Sequence, residues 1–142
     1  MRALLDVNVL IALLDSDHAS HKGAIGWFGT HARSGWASCP ITQNGCIGIM
    51  SHPSYPNAHP VLEVVERLRA ATADRTHEFW PDSESLLDPA LVDASRVHGP
   101  RQLTDVYLLA LAVRNEGRLV TFDGSVAMAA VKGARARHLL EI

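Results

Sequence analysis

Two short apolar runs lie near opposite ends of the sequence, and each one stops on an aspartate. Ala3-Leu4-Leu5 meets Asp6, and Leu119-Val120-Thr121-Phe122 meets Asp123. Runs this short, with little polar alternation, suit strands covered on both faces, which is the condition of a parallel sheet packed between helices. An acid at the end of such a strand marks the carboxyl edge of the sheet, where folds of this kind bind ligands. The chain between the two runs alternates helical and strand-like patterns. The expectation is therefore an α/β fold with a mostly parallel central sheet flanked by helices, a single domain over residues 1–142.

Helices are expected over 7–14, with Asn8 able to cap the first turn, and over 21–33, burying Ile25, Trp27 and Phe28. A strand over 36–39 stops at Pro40, and a helix follows from about residue 41. Gly45 and Gly48 inside that helix point to close packing or a bend. Pro53, Pro56 and Pro60 make 52–60 a loop, and an amphipathic helix over 61–71 sets Val61, Val64, Val65 and Leu68 on one face. A third strand is read over 77–80, then two short helices over 83–87 and 89–96. The helix over 104–115 has Thr104 as its N-cap and Gly117 as its stop. A short helix near 125–131 and a strand near 137–140 complete the pattern. Trp27, Phe28, Trp36 and Trp80 are read as core or interface.

Composition narrows the function classes. Of 142 residues, 47% are hydrophobic and 20% charged, which excludes disordered and collagen-like chains. The longest apolar run, residues 9–14, is far below the roughly 18 residues of a membrane span, and Asp6 interrupts any signal-like start, so a cytoplasmic protein is expected. Cys39 and Cys46 are too few for a disulfide scaffold and lack zinc-finger spacing, and both are read as reduced. Thirteen Lys and Arg against 15 Asp and Glu give a charge of −2, which excludes binding nucleic acid by positive charge alone.

Asp105 joins Asp6 and Asp123 because it lies one residue inside a helix start, and in a parallel sheet such helix starts converge with the strand ends. Singly, each has a plain explanation: Asp105 complements a helix dipole and Asp123-Gly124 makes a turn. Together they form a carboxylate cluster, whose mutual repulsion calls for a divalent cation, and all-oxygen ligands favour magnesium or manganese over zinc.

Asp6-Val7-Asn8-Val9-Leu10, the stretch from Thr104 to Ala112, and Leu119 to Asp123 resemble, in order and spacing, the three motif blocks of PIN-domain ribonucleases, specifically the VapC toxins of bacterial toxin–antitoxin pairs. The likeness runs over nearly the whole chain, including 18–28 and Thr42-Gln43-Asn44-Gly45. It implies a PIN fold and a Mg2+-dependent endoribonuclease, with Mn2+ as a substitute, that cleaves RNA and inhibits translation. It implies Asp6, Asp105 and Asp123 as catalytic and metal-ligating acids, with Asn8 and Thr121 supporting them. It also implies a cognate VapB-like antitoxin, a homodimer and no membrane partner. Relatives carry a further acid on the helix after the second strand; the matching position is read as Gln43, which offers a carbonyl oxygen but one negative charge fewer. Gly48 stands where a larger, often basic residue is expected.

Eleven of the 13 basic residues are arginine, which suits bidentate phosphate contacts. Arg96, His98 and Arg101, just before the Asp105 helix, are candidate substrate contacts, against the plain reading of a solvated loop. His18 and His21 are read as surface residues. Two other functions compete. One is a PIN-fold binding module weakened by Gln43. The other is a haloacid dehalogenase-like phosphohydrolase, suggested by Asp6-Val7-Asn8-Val9 but short of lysines, with only Lys22 and Lys132 available.

Overall fold

A computed structural model describes all residues from Met1 to Ile142. Five strands form one sheet: β1 (Ala3–Leu5), β2 (Trp36–Ser38), β3 (His77–Phe79), β4 (Arg118–Thr121) and β5 (Leu139–Glu141). They lie in the order β3-β2-β1-β4-β5 and every pairing is parallel. Five helices flank them: α1 (Val7–Leu14), α2 (His21–His31), α3 (Pro40–Met50), α4 (Val61–Thr72) and α5 (Leu103–Arg114).

Strand alternation divides the core into two layers. Leu4, Ala37 and Leu119 point to one face, against α5. Ala3, Leu5, Trp36 and Val120 point to the other, against α1, α3 and α4. Every residue of α5 from Val106 to Ala112 is buried, so this helix is covered on all sides and its amino end is fixed against the sheet edge. Cys39 and Cys46 are both buried free thiols. No helix is long and apolar enough to cross a membrane.

Several expectations are corrected. The carboxylate of Asp6, not Asn8, caps α1, accepting from the Val7 amide at 2.7 Å. In α2 only Ala24 is buried; Ile25 is 46% exposed and Trp27 and Phe28 are half-buried. No α-helix forms over 83–96, where only Ala94–Arg96 makes a single 3-10 turn. The side chains of Ser85, Asp88 and Asp93 each accept from a backbone amide two residues on, an arrangement that competes with helix. The 125–131 segment likewise holds only the 3-10 turn Met128–Ala130, and another, Ala136–His138, precedes β5.

At α5, Thr104 makes no cap; a 3-10 turn, Pro100–Gln102, leads into the helix instead. At its other end the left-handed residue is Glu116, with φ 54°. The Glu116 amide donates to the Val113 carbonyl and the Gly117 amide to that of Ala112, which together close a Schellman motif. Gly117 is needed for a different reason: a Cβ there would come within 2.7 Å of both the Arg2 carbonyl and the Trp80 ring.

Candidate active site

Three chain segments bring acids to the carboxyl edge of the sheet. Asp6 follows β1 directly, Asp123 lies two residues beyond β4, and Asp105 is the third residue of α5. All three line one hollow of about 470 Å3, together with Thr104, Asn8, Val7 and Ile11, and with Ile41, Gly45 and Ile49 from α3.

Thr121 is the tie between β1 and β4. Its hydroxyl donates to the Asp6 carboxylate at 2.7 Å and accepts from the Asp123 amide at 3.0 Å. The Asn8 side-chain amide donates to that same hydroxyl at 3.3 Å, and its oxygen accepts from the Phe122 amide at 3.4 Å. Asp123 is turned by Ser125, whose amide and hydroxyl donate to one carboxylate oxygen at 2.8 and 2.6 Å.

The electrostatics differ among the three. Burial pushes Asp6 above the ordinary carboxylate range; Thr121 and the Val7 amide pull it back in part, and the Asp123 charge adds to the rise. Burial raises Asp105 to about 6, with the charges of Asp6 and Asp123 contributing. The exposed Asp123 is held low by the Ser125 hydroxyl and amide. Asp105 therefore has nearby negative charge and no cation to offset it.

These carboxylates share a hollow without closing on a single point. No three His, Cys, Asp or Glu side chains stand at ligating spacing as the rotamers lie. Asp6 and Asp123 are engaged with their hydroxyl and amide donors, whereas Asp105 makes no hydrogen bond through its side chain. The donor set fits a hard divalent cation. Magnesium keeps several of its waters and is commonly held through only one or two carboxylates, so a wide site with two partly desolvated carboxylates and one exposed one suits it.

Gln43 does not line this hollow. Its amide donates to the Ser38 hydroxyl at 2.9 Å, and its side chain lines a separate hollow with Ile47, Val65 and Arg69 between α3 and α4. The α3 face turned to the acids is Ile41, Gly45 and Ile49, which the i, i+4, i+8 spacing fixes. That spacing was the readable signal, and it shows that α3 offers the site no acid at all. Close packing explains Gly45, since a Cβ there would come within 2.7 Å of a Val7 methyl, whereas one at Gly48 would meet nothing. Ser125 and the apolar α3 wall are the neighbours that motif reading missed.

Arg96, His98 and Arg101 also lie outside the hollow. Arg96 pairs with Asp93 at 3.2 Å, the His98 amide donates to Gln102, and Arg101 is exposed one turn before Asp105.

No family model matches the chain. It is 53% identical over 139 residues, 98% of each chain, to Ribonuclease VapC44 of Mycobacterium tuberculosis. It is 42% identical over 134 residues to Ribonuclease VapC39 of the same species, covering 94% of this chain and 96% of the relative. Its fold is similar to a chain in the crystal structure of VapBC2 from Rickettsia felis bound to a DNA fragment from their promoter. The TM-score is 0.63 at 13% identity, over 99% of this chain and 98% of the other.

Proposed function

The chain belongs to the VapC family of PIN-domain ribonucleases, and on that premise we propose that it is an endoribonuclease toxin that hydrolyses RNA at the hollow formed by Asp6, Asp105 and Asp123. The observation that carries the reading is the meeting of three acids from separate segments in one hollow, two of them driven up in pKa by burial and by neighbouring carboxylates.

Asp6, Asp105 and Asp123 would hold a divalent cation, Mg2+ with Mn2+ as a substitute. Bound there, the ion supplies activation of water and offsets charge on the phosphate. The chain does the rest of the positioning. Thr121 fixes the rotamer of Asp6 and the backbone at Asp123, Asn8 braces Thr121, and Ser125 aims Asp123. Val7, Ile11, Ile41 and Ile49 give the hollow an apolar wall.

The proposal extends to a VapB-like antitoxin, a homodimer and a cytoplasmic setting. Support for a bound partner comes from an all-apolar groove of about 160 Å3 between α1, α2 and α4, lined by residues that include Leu13, Leu14, Ile25 and Phe28. The phosphohydrolase alternative has no support, since no lysine lines the acid hollow. The binding-module alternative, in which the missing acid abolishes activity, predicts RNA binding without cleavage, and the assay below separates the two.

The test is incubation of the purified chain with total RNA and Mg2+ or Mn2+, mapping the cleaved ends. Discrete products that vanish with chelator and in Asp105→Asn are expected. Cleavage retained in that variant, or no cleavage by the parent chain, would reject the assignment.

A further inference from the structure

A second hollow, of about 370 Å3, opens at the far end of α3, lined by Gly48, Ile49, His52, Ser54, Tyr55 and Pro56. Ile49 lines both this hollow and the acid hollow, and the residue is 48% exposed. The two are therefore neighbours along one helix, with an aliphatic ridge between them. The volume falls within the roughly 300–1,000 Å3 of small-molecule sites.

Its walls are set in place. The His52 ring nitrogen Nδ1 accepts from the Ser54 amide at 3.1 Å and lies 2.6 Å from the Ser54 hydroxyl, which fixes the ring and leaves Nε2 without a protein partner. The Tyr55 hydroxyl is tied to Asp15, which holds its ring at the other side. Gly48 keeps the floor open, since a side chain there would project into free space.

The walls thus consist of an exposed imidazole, a fixed phenol ring, a proline and an isoleucine, with no Lys or Arg among them. This chemistry does not hold phosphate. It suits the flat face and polar edge of a nucleobase that has left its stack, the usual way in which proteins read single-stranded RNA. The chain's charge of −2 sharpens the point, because RNA affinity has to come from contacts other than a general positive field.

We propose that this hollow is a nucleobase subsite, in which an unpaired base flanking the scissile phosphate rests against His52 and Tyr55 while Ile49 separates it from the acids. The proposal rests on the ribonuclease reading above and deepens it by placing a base contact beside the acids, one that a base held within a duplex could not make.

The experiment uses the full chain with fluorescein-labelled oligouridylate and oligoadenylate of about ten nucleotides. Anisotropy in Ca2+ reads binding, a gel checks that the probes stay intact, and total-RNA cleavage in Mn2+ gives kcat and KM. His52→Ala is expected to weaken single-strand binding by about fivefold to a hundredfold and to raise KM more than it lowers kcat. His52→Phe, which keeps a stacking face, is expected to bind near the parent level, and the duplex of the two probes not to compete. His52 is exposed, so its replacement leaves the core intact.

Unchanged binding and KM in His52→Ala, with the parent chain active, would overturn the subsite alone. So would a change of association state in His52→Ala by light scattering, which would make this face a contact between copies of the chain. A parent chain that neither binds nor cleaves RNA would overturn the ribonuclease reading along with it.

Discussion

The two ends of α1 carry the same residue, Asp6 the more deeply desolvated, in opposite electrostatic states. Asp6 caps its amino end and Asp15 its carboxyl end, and each is 7% exposed. The helix dipole alone would favour a negative charge at Asp6 and oppose one at Asp15. The order found is the reverse. Burial pushes Asp15 up, but the Tyr55 hydroxyl, the Asp17 amide and the nearby His59 and His18 together hold it below the ordinary carboxylate range. Asp6 accepts from Thr121 and Val7, yet burial and the Asp123 charge leave it above that range. Local neighbours override the dipole at both ends. One end has a carboxylate whose partners the fold supplies; the other shares a set of acids that lacks positive charge, as expected of a site completed by a cation.

The largest way to break this contrast is at the acid end. Asp6→Asn should reduce RNA cleavage by at least about a hundredfold, since even removal of a group that only supports a ligand costs about 10- to 100-fold. End mapping on total RNA reads the loss, and residual cleavage within tenfold of the parent would place the chemistry elsewhere.

At the compensated end the effect should fall on stability. Asp15→Ala leaves the Tyr55 hydroxyl and the Asp17 amide without their acceptor and should cost about 2–3 kcal/mol in urea unfolding at pH 7. Because Asp15 has a lowered pKa when folded, its contribution is present above the ordinary carboxylate range and is lost as pH falls through the folded value. The gap between parent and variant should narrow in acid. Tyr55→Phe removes one donor of several and should cost less, about 1–1.5 kcal/mol by the same measurement. A larger loss in Tyr55→Phe than in Asp15→Ala would show that Asp15 is not the group these donors serve.

The legibility of the sequence followed the same division. Strands ending on acids were readable because length, apolarity and a terminal Asp coincide within a few residues, and the parallel sheet followed from their alternation with helices. What failed depended on which way a side chain points. Gln43 matched the motif by position, but rotation of α3 turns Gly45 to the acids and Gln43 to Ser38. Ile25 fits an apolar stripe yet is left exposed beside a groove, because α2 contributes only Ala24 to the buried set. Over 83–96 the sequence offers both helical residues and Ser and Asp turn formers, and the turns prevail. Gly117 is the expected stop of α5, yet the left-handed residue that closes the helix is Glu116, and Gly117 instead lies against the Arg2 carbonyl and Trp80.

The fold gathers negative charge that it does not itself compensate. Thermal unfolding of the parent and of Asp105→Asn, with chelator or with Mn2+ at pH 7.5, tests it most directly. A folded pKa raised to about 6 means that the cation-free protein loses stability as pH rises from the ordinary carboxylate value through about 6. Without metal, Asp105→Asn should therefore be the more stable of the two, by about 1–2 kcal/mol once solvent screening is allowed for. That corresponds to about 3–6 °C in Tm. Mn2+ should raise the Tm of the parent and leave the variant unmoved. A variant less stable than the parent in chelator, or one that Mn2+ stabilises equally, would contradict the account.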